Sequence, residues 1–172
     1  PQKIDVFELL KVIKEKQFIF YTGAGISATG NVATMSKLEE SMHMQEGLLH
    51  FLKIMLLNPQ ILAHTFEKFC KSCIDAEPTP AHKALHEIAQ QRPCAIITEN
   101  VDLLHQKAHS MPLHGSSSEL HAVTLDEIKE IDIIICIGLS HDDRGILQHF
   151  KKHNSDITIV AIDIGNPNYL SE

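Results

Sequence analysis

Apolar and polar positions follow two spacings along this chain, one typical of helices and one typical of buried strands. Residues 3–16 repeat apolar and charged side chains at helical spacing and predict an amphipathic helix. Residues 37–73 continue that spacing and predict two helices that divide at Asn58-Pro59. Further helices are predicted at 80–91, 103–108, 125–130 and 145–152. Short apolar runs predict strands at 18–21, 94–98, 133–137 and 157–162, with a brief extended piece at 111–113.

The order of these elements predicts the fold class. Strands that are apolar on both faces and separated by helices are typical of a parallel sheet covered on both sides. We therefore predict an α/β fold, a Rossmann-like parallel sheet with helices on both faces. The chain has 172 residues, 44% of them apolar, which is enough to bury one sizeable core. We expect residues 1–172 to form a single domain with a helical insertion at about 36–75.

Charge narrows the possible partners. The formal charge is −7 and no run of basic residues offsets it, so neither nucleic acid nor an anionic membrane is expected as a partner. The longest apolar run, at 131–139, includes Asp132 and is too short to span a bilayer. No secretory signal is visible. These observations favour a small-molecule ligand and a cytoplasmic location.

The four cysteines do not form the pattern of a disulfide scaffold. Cys94 and Cys136 lie in strand-like apolar runs, where a free thiol behaves as a small hydrophobic group. Cys70 and Cys73 form one C-x-x-C within a helical stretch, which is half of a structural zinc site. We expect these thiols to be buried rather than to bind metal.

The segments that follow the strands are the candidate site, because ligands of parallel sheets bind beyond the carboxyl ends of the strands. Residues 22–28 follow the first strand and read T-G-A-G-I-S-A, which fits the dinucleotide pattern G-x-G-x-x-G/A. Glycines there let the backbone approach a pyrophosphate, whose charge is met by N–H groups at a helix start. A plain tight turn is the alternative for this motif alone.

Polar and ionisable residues crowd the end of the second strand, where residues 98–102 read T-E-N-V-D. A helix N-cap accounts for Asn100 or Asp102 but not for the whole cluster. His114 lies in L-H-G-S at 113–116, before a glycine that permits close approach of a ligand. Because histidine titrates near neutrality, His114 is a candidate general base.

The last two strands end in further candidates. Gly138 and Ser140 belong to G-L-S at 138–140, small and polar where a phosphate or ribose would lie. Asp163 ends the last strand, and a carboxylate at that position can accept both hydroxyls of an adenine ribose. Ordinary turn chemistry accounts for each of these three residues equally well.

Taken together, the motifs resemble those of the sirtuins, the NAD-dependent protein deacylases. Residues 80–85 are similar to the helix before the family's second motif, and the matches run in family order from Phe18 to about Pro167. The matching motifs are G-A-G-I-S at 23–27, the counterpart of T-Q-N-I-D-x-L-H-x at 98–106, L-H-G-S at 113–116 and the counterpart of G-T-S at 138–140. The resemblance implies a sirtuin-like NAD-binding domain.

The resemblance also implies a reaction and a set of site residues. A sirtuin transfers the acyl group of an acyl-lysine protein or peptide to the ADP-ribose of NAD and releases nicotinamide. In this chain His114 would act as base on the ribose hydroxyls, Asn100 would lie by the reacting ribose, and Asp102 would orient the nicotinamide carboxamide. The predicted cofactor-binding residues are Gly23, Ala24, Gly25, Ser27, Glu99, Asn100, Asp102, Gly138, Ser140 and Asp163.

Three departures mark a divergent member. The family's G-I-P-D-F-R is replaced by G-N-V-A-T-M at 30–35, so its Phe and Arg have no counterpart. Glu99 stands where the family has Gln, and a carboxylate beside an anionic cofactor weakens binding unless it is protonated or paired. The four-cysteine zinc module that follows L-H-G-S is missing, since only residues 117–130 separate that motif from the next strand region. No zinc is therefore expected.

Two alternatives stand beside the deacylase prediction. An NAD hydrolase or ADP-ribosyltransferase would tolerate the loss of the zinc module better. A catalytically silent module that binds NAD or ADP-ribose is the alternative of a different class. The absent Phe and Arg and the presence of Glu99 favour the silent module, whereas Asn100, Asp102 and His114 oppose it.

Overall fold

The computed structural model describes residues 2–30, 32, 38, 40–42, 46–92, 94–108, 114–115, 125–165 and 167–170, with the backbone alone at 114–115 and 125–127. The extended piece predicted at 111–113 lies outside the described residues. So does Ser116 of the L-H-G-S motif, and so does most of the segment that replaces G-I-P-D-F-R.

Five strands form one parallel sheet in the order β3-β2-β1-β4-β5. The strands are β1 (Phe18–Thr22), β2 (Ile96–Thr98), β3 (His114–Gly115), β4 (Ile133–Ile137) and β5 (Thr158–Ile162). At the centre, Phe20 pairs with Ile96 of β2 and with Ile135 of β4. The predicted α/β class is confirmed, and all five strands end at the same edge of the sheet because they are parallel.

The helices connect the strands. Those described over their full length are α1 (Val6–Ile13), α2 (Leu48–Leu57), α3 (Pro59–Asp75), α4 (Pro80–Gln91), α5 (Leu104–Lys107), α6 (Leu125–Glu130) and α7 (Ile146–His153). Short 3-10 segments cover Ala24–Gly30 and Asn168–Leu170. The division at Asn58-Pro59 and the helix at 80–91 are confirmed.

Capping sets the first residue of α4, which begins at the predicted position. The Thr79 side chain accepts a hydrogen bond from the backbone N–H of His82, and the Thr79 N–H donates to the His82 ring. Pro80 follows at the first helical position, where its missing N–H costs nothing.

Two helix predictions are wrong in their extent. The continuous helix predicted from residue 37 to residue 57 is interrupted at Gly47, whose φ of 98° is incompatible with a helix, and α2 begins after it. The helix predicted at 3–16 is shorter, because Asp5 caps it in a capping box with Glu8. None of the residues of α1 is buried.

The sheet separates two cores because successive side chains of a strand point to opposite faces. Phe18 and Phe20 pack on one side with Leu85 of α4. Ile19 and Tyr21 pack on the other side in the same cluster as residues of α6 and α7. Helices therefore cover both faces, as predicted. Within the described ranges, no helix has the length and apolar character needed to cross a bilayer.

Candidate functional site

The glycine loop after β1 contacts the segment after β4 through backbone atoms. The Gly25 N–H donates to the carbonyl oxygen of Gly138 at 2.9 Å, and the Gly23 N–H donates to that of Ile137 at 3.1 Å. A Cβ on Gly25 would lie 2.6 Å from the Gly138 Cα, and a Cβ on Gly138 would lie 2.4 Å from the Ile26 nitrogen. Gly138 also has a φ of 60°, which favours glycine. Glycine is therefore required on both sides of this contact.

Three side chains join the end of β2 to the glycine loop. The Asn100 side-chain amide donates to the Gly23 carbonyl oxygen at 3.1 Å and to Ser27 Oγ at 3.2 Å. Ser27 Oγ in turn donates to Asp102 Oδ2 at 2.5 Å, and Asp102 Oδ1 accepts the N–H of Leu104 at 3.0 Å, at the start of α5. Ser27 and Asp102 are buried, being 2% and 4% exposed. The network holds Asn100 and Asp102 in fixed positions.

Glu99 points to the other side of the β2 end, toward the segment after β4. The Tyr21 hydroxyl donates to Glu99 Oε1 and lies 3.4 Å from Oδ1 of Asp142. The Asp142 carboxylate accepts the N–H groups of Ile146 and Leu147 at 2.8 and 2.9 Å, at the start of α7. The Glu99 carboxyl is therefore paired, which is one of the two conditions for tolerating it beside an anionic ligand.

Burial sets the protonation of Glu99. Desolvation raises the pKa of Glu99, and the hydrogen bond from Tyr21 opposes that rise. Asp143 and Asp142 raise the pKa of Glu99 further, whereas Arg144 lowers it. Desolvation and the two aspartates outweigh Tyr21 and Arg144, so the pKa of Glu99 is raised and Glu99 is a stronger base than an exposed glutamate.

A cavity of about 380 Å³ opens at the carboxyl ends of the strands, a volume typical of small-molecule sites. Predicted cofactor residues that line it are Gly23, Ala24, Ser27, Glu99, Asn100, Asp102, Gly138 and Ser140. Gly25 instead packs against Gly138. Asp163 does not line the cavity, and its carboxylate accepts the N–H of Gly165 at 2.9 Å. The His114 backbone pairs with Ile97 of β2, and its side chain lies outside the described residues.

Several lining residues were not predicted from the sequence. Phe69 and Cys73 of α3 form an apolar wall with Val32, while His141, Asp143 and Arg144 lie on the loop between β4 and α7. The strand-end rule would have found this loop had it been followed beyond Ser140. Phe69 and Cys73 carry no such signal, because at helical spacing they are indistinguishable from core residues.

Two buried histidines lie beneath the glycine loop. His105 Nε2 is hydrogen-bonded to Thr22 Oγ1 at 2.8 Å, and the rings of His82 and His105 are 4.6 Å apart. Thr79 Oγ1 donates to the carbonyl oxygen of Ile26 at 3.0 Å and so ties α4 to the loop. Burial lowers the pKa of His105 to about 4 and lowers that of His82, so both rings are neutral at physiological pH.

The described thiols are free, and each lies in or against a hydrophobic cluster. Cys70, Cys73, Cys94 and Cys136 form no disulfide. Burial, and then the nearby Asp102 carboxylate, raises the pKa of Cys73, which lines the cavity as a protonated thiol. Within the part of the chain that the structure describes, no group of three or more His, Cys, Asp or Glu is placed to hold a metal ion.

Solved structures share this fold. The complex of a mutant Sir2 homologue with 2′-O-acetyl ADP ribose superimposes with a TM-score of 0.73, at 20% identity, over 98% of this chain and 88% of that chain. A Sir2 homologue–NAD complex gives a TM-score of 0.66 at 22% identity, over 97% of this chain and 85% of that chain.

Sequence comparison connects the chain to named relatives. It is 33% identical over 120 residues to NAD-dependent protein deacylase 2 of Archaeoglobus fulgidus, covering 66% of this chain and 47% of that protein. It is 29% identical over 138 residues to an NAD-dependent protein deacetylase of Clostridium acetobutylicum, covering 74% and 56%. The chain thus spans about half the length of the curated relatives that it matches. The family model for the Sir2 family matches residues 23–129, more than half of the sequence, and the chain belongs to that family.

Proposed function

We propose that this chain is an NAD-dependent protein-lysine deacylase, which transfers the acyl group of an acyl-lysine protein or peptide to the ADP-ribose of NAD and releases nicotinamide. The observation that carries the proposal is that Asn100 and Asp102 line one cavity together with the glycine loop and are hydrogen-bonded through Ser27. We treat residues 1–172 as one NAD-binding domain with a helical insertion at about 36–75, whose α3 lines the cavity.

The lining has the chemistry that a dinucleotide requires. Val32, Phe69 and Leu139 supply an apolar wall for a planar ring, and amide, hydroxyl and carboxylate groups supply partners for ribose hydroxyls. Arg144 supplies a positive charge for the diphosphate. None of these contacts requires zinc, and we propose that the chain works without it.

Hydrogen bonding leaves particular atoms available to NAD. Both hydrogens of the Asn100 side-chain amide are donated within the protein, so its oxygen is the group that remains to accept a ribose hydroxyl. Each Asp102 oxygen accepts one hydrogen bond in the protein, and a carboxylate oxygen can accept two. Asp102 can therefore also accept from the nicotinamide carboxamide.

His114 completes the site as the general base on a ribose hydroxyl. Its backbone lies in β3, next to the β2 strand from whose end Asn100 and Asp102 follow. NAD supplies a good leaving group in nicotinamide, so the protein has to supply orientation and one well-placed base rather than a strong nucleophile.

The test is nicotinamide release from NAD with and without an acetyl-lysine peptide. We expect release to depend strongly on the peptide. His114→Ala should lower peptide-dependent turnover by about 10²–10⁴-fold and leave the Kd for NAD nearly unchanged. His64→Ala, on the exposed side of α3, is the matched control and should behave as the wild type.

Three results would contradict this proposal in different ways. A fully active His114→Ala variant would refute the general-base assignment. Nicotinamide release at the same rate with and without peptide would indicate hydrolysis or ADP-ribosyl transfer instead of deacylation. No release at all, combined with a Tm that rises on addition of NAD, would identify a binding module.

A further inference from the structure

We infer that Glu99 gives this cavity a second activity, the hydrolysis of NAD to ADP-ribose and nicotinamide when no acyl-lysine peptide is bound, with the Glu99 carboxylate as the base for the attacking water. The inference rests on the proposed function, because it requires NAD in the same cavity.

Hydrogen bonding distinguishes Glu99 from the other carboxylates of the cavity. Asp102 uses one oxygen for Ser27 and the other for Leu104. Glu99 accepts from Tyr21 through Oε1, and no described residue donates to its Oε2. Asp143 also lines the cavity but is exposed. Glu99 is therefore a half-buried carboxylate of the cavity with one oxygen, Oε2, that accepts no hydrogen bond from any described residue and is open to water.

The charges around Glu99 suit this role. The groups that face it are Tyr21 from β1 and Asp142, Asp143 and Arg144 from the loop after β4. Burial, with the two aspartates, raises the pKa of Glu99, and a base works best when its pKa approaches the working pH. The same negative charges stabilise the positive charge that develops on a ribose as a neutral amine departs.

The reaction balances without any further reagent. The water oxygen forms a bond to C1′ of the nicotinamide ribose while the bond from C1′ to the nicotinamide nitrogen breaks. The electron pair of the broken bond goes to that nitrogen, and nicotinamide leaves as a neutral molecule. One proton of the water passes to Glu99 Oε2 and then to solvent. The products are ADP-ribose, nicotinamide and a proton.

Glu99→Gln is the decisive variant, because the amide keeps the shape of the side chain but cannot take a proton. Nicotinamide release without peptide is measured between pH 5 and 9 at saturating NAD. We expect the wild-type kcat to rise with pH as Glu99 loses its proton. In Glu99→Gln, kcat should fall by about 10²-fold or more and the pH step should disappear. NAD binding should tighten, because the change removes a negative charge beside an anionic ligand.

Two further variants test whether the pH step belongs to the Glu99 carboxyl. Tyr21→Phe removes the hydrogen bond that lowers the pKa of Glu99, so its pH step should persist and move to higher pH. Glu87→Gln changes an exposed glutamate of α4 and should match the wild type in rate and pH profile. Thermal unfolding of each variant shows that it is folded.

The outcomes separate this inference from the proposed deacylation. Wild-type kcat and an unchanged pH step in Glu99→Gln would overturn the role of Glu99, as would a change in KM alone. Nicotinamide release that occurs only with peptide would overturn hydrolysis and leave deacylation intact. Glu99-dependent release without peptide, and no stimulation by peptide, would support hydrolysis and overturn deacylation.

Discussion

Replacing Gly138 by alanine would place a methyl group inside the glycine loop. The added Cβ would lie 2.4 Å from the Ile26 nitrogen and 2.6 Å from the Gly25 Cα, far inside ordinary contact distance. Both neighbours are backbone atoms, so no side chain can rotate away. The φ of 60° at Gly138 adds a conformational penalty for alanine.

The two contributions can be separated with matched variants. Gly145 has a φ of 67°, but a Cβ added there would lie no closer than 3.9 Å to another residue, at Gln148 Oε1. Gly145→Ala should therefore cost only the conformational term of about 1–2 kcal/mol. Gly138→Ala adds an overpacking term of about 1–3 kcal/mol, for a total of about 2–5 kcal/mol. Gly25→Ala has the backbone clash without a positive φ, so it should cost only the overpacking term of about 1–3 kcal/mol.

Urea unfolding would measure these costs, and calorimetry would measure the Kd for NAD. We expect Gly138→Ala to weaken NAD binding at least about tenfold, which is about 1.4 kcal/mol, because the methyl displaces a loop that lines the cavity. Gly145→Ala should bind NAD as the wild type does. Equal losses of stability in Gly138→Ala and Gly145→Ala would refute the argument from backbone contact. Wild-type NAD affinity in Gly138→Ala would show that this contact does not shape the cavity.

Three further predictions concern stability and metal. Thr79→Ala should lower the free energy of unfolding by about 1–2 kcal/mol, because it removes both the cap of α4 and the hydrogen bond to Ile26; Thr79→Ser, which keeps the hydroxyl, should recover most of that loss in the same urea titration. Between pH 6.5 and pH 4 the unfolded chain binds a proton that folded His105 does not, so acidification should lower the free energy of unfolding by about 1 kcal/mol per pH unit. The dependence of the free energy of unfolding on pH should be weaker in His105→Asn. An unchanged dependence would show that His105 is not its source. A zinc chelator should leave nicotinamide release unchanged, whereas a loss that added zinc restores would contradict the zinc-free proposal.

The sheet could be predicted because its strands are apolar on both faces, a pattern that depends on few residues. The extent of the helices predicted at 37–73 was harder to predict. Apolar residues at helical spacing continue on both sides of Gly47, and one glycine costs a helix only about 1 kcal/mol, so the pattern does not reveal the break. The backbone conformation decides it, since a φ of 98° ends the helical geometry before Leu48. The start of α4 was predictable because Thr79 and Pro80 are local signals.

The candidate site was predictable as far as strand ends define it. Parallel strands end at one edge, and the glycine loop, Asn100, Asp102 and Gly138 meet there because β2 and β4 both pair with β1. Asp163 follows the outer strand β5 and does not line the cavity. Phe69 and Arg144 could not be placed in the same way. Their positions at the cavity depend on how α3 packs and on where the loop after β4 turns. A local sequence pattern predicts neither.

Tyr21 and Glu99 show where strand-end reasoning stops. The two residues are 78 positions apart and meet because Tyr21 lies one residue before the end of β1, with Glu99 directly after β2. A tyrosine in a buried strand is expected to have a hydrogen-bond partner for its hydroxyl, but the sequence does not predict which residue that partner is. In the sequence, Glu99 looks like a charge that weakens NAD binding. In the fold it is a half-buried carboxylate that accepts a hydrogen bond from Tyr21 and has a second oxygen open to a ligand. The presence of Glu99 where the family has Gln is therefore the basis for proposing hydrolysis of NAD in this cavity.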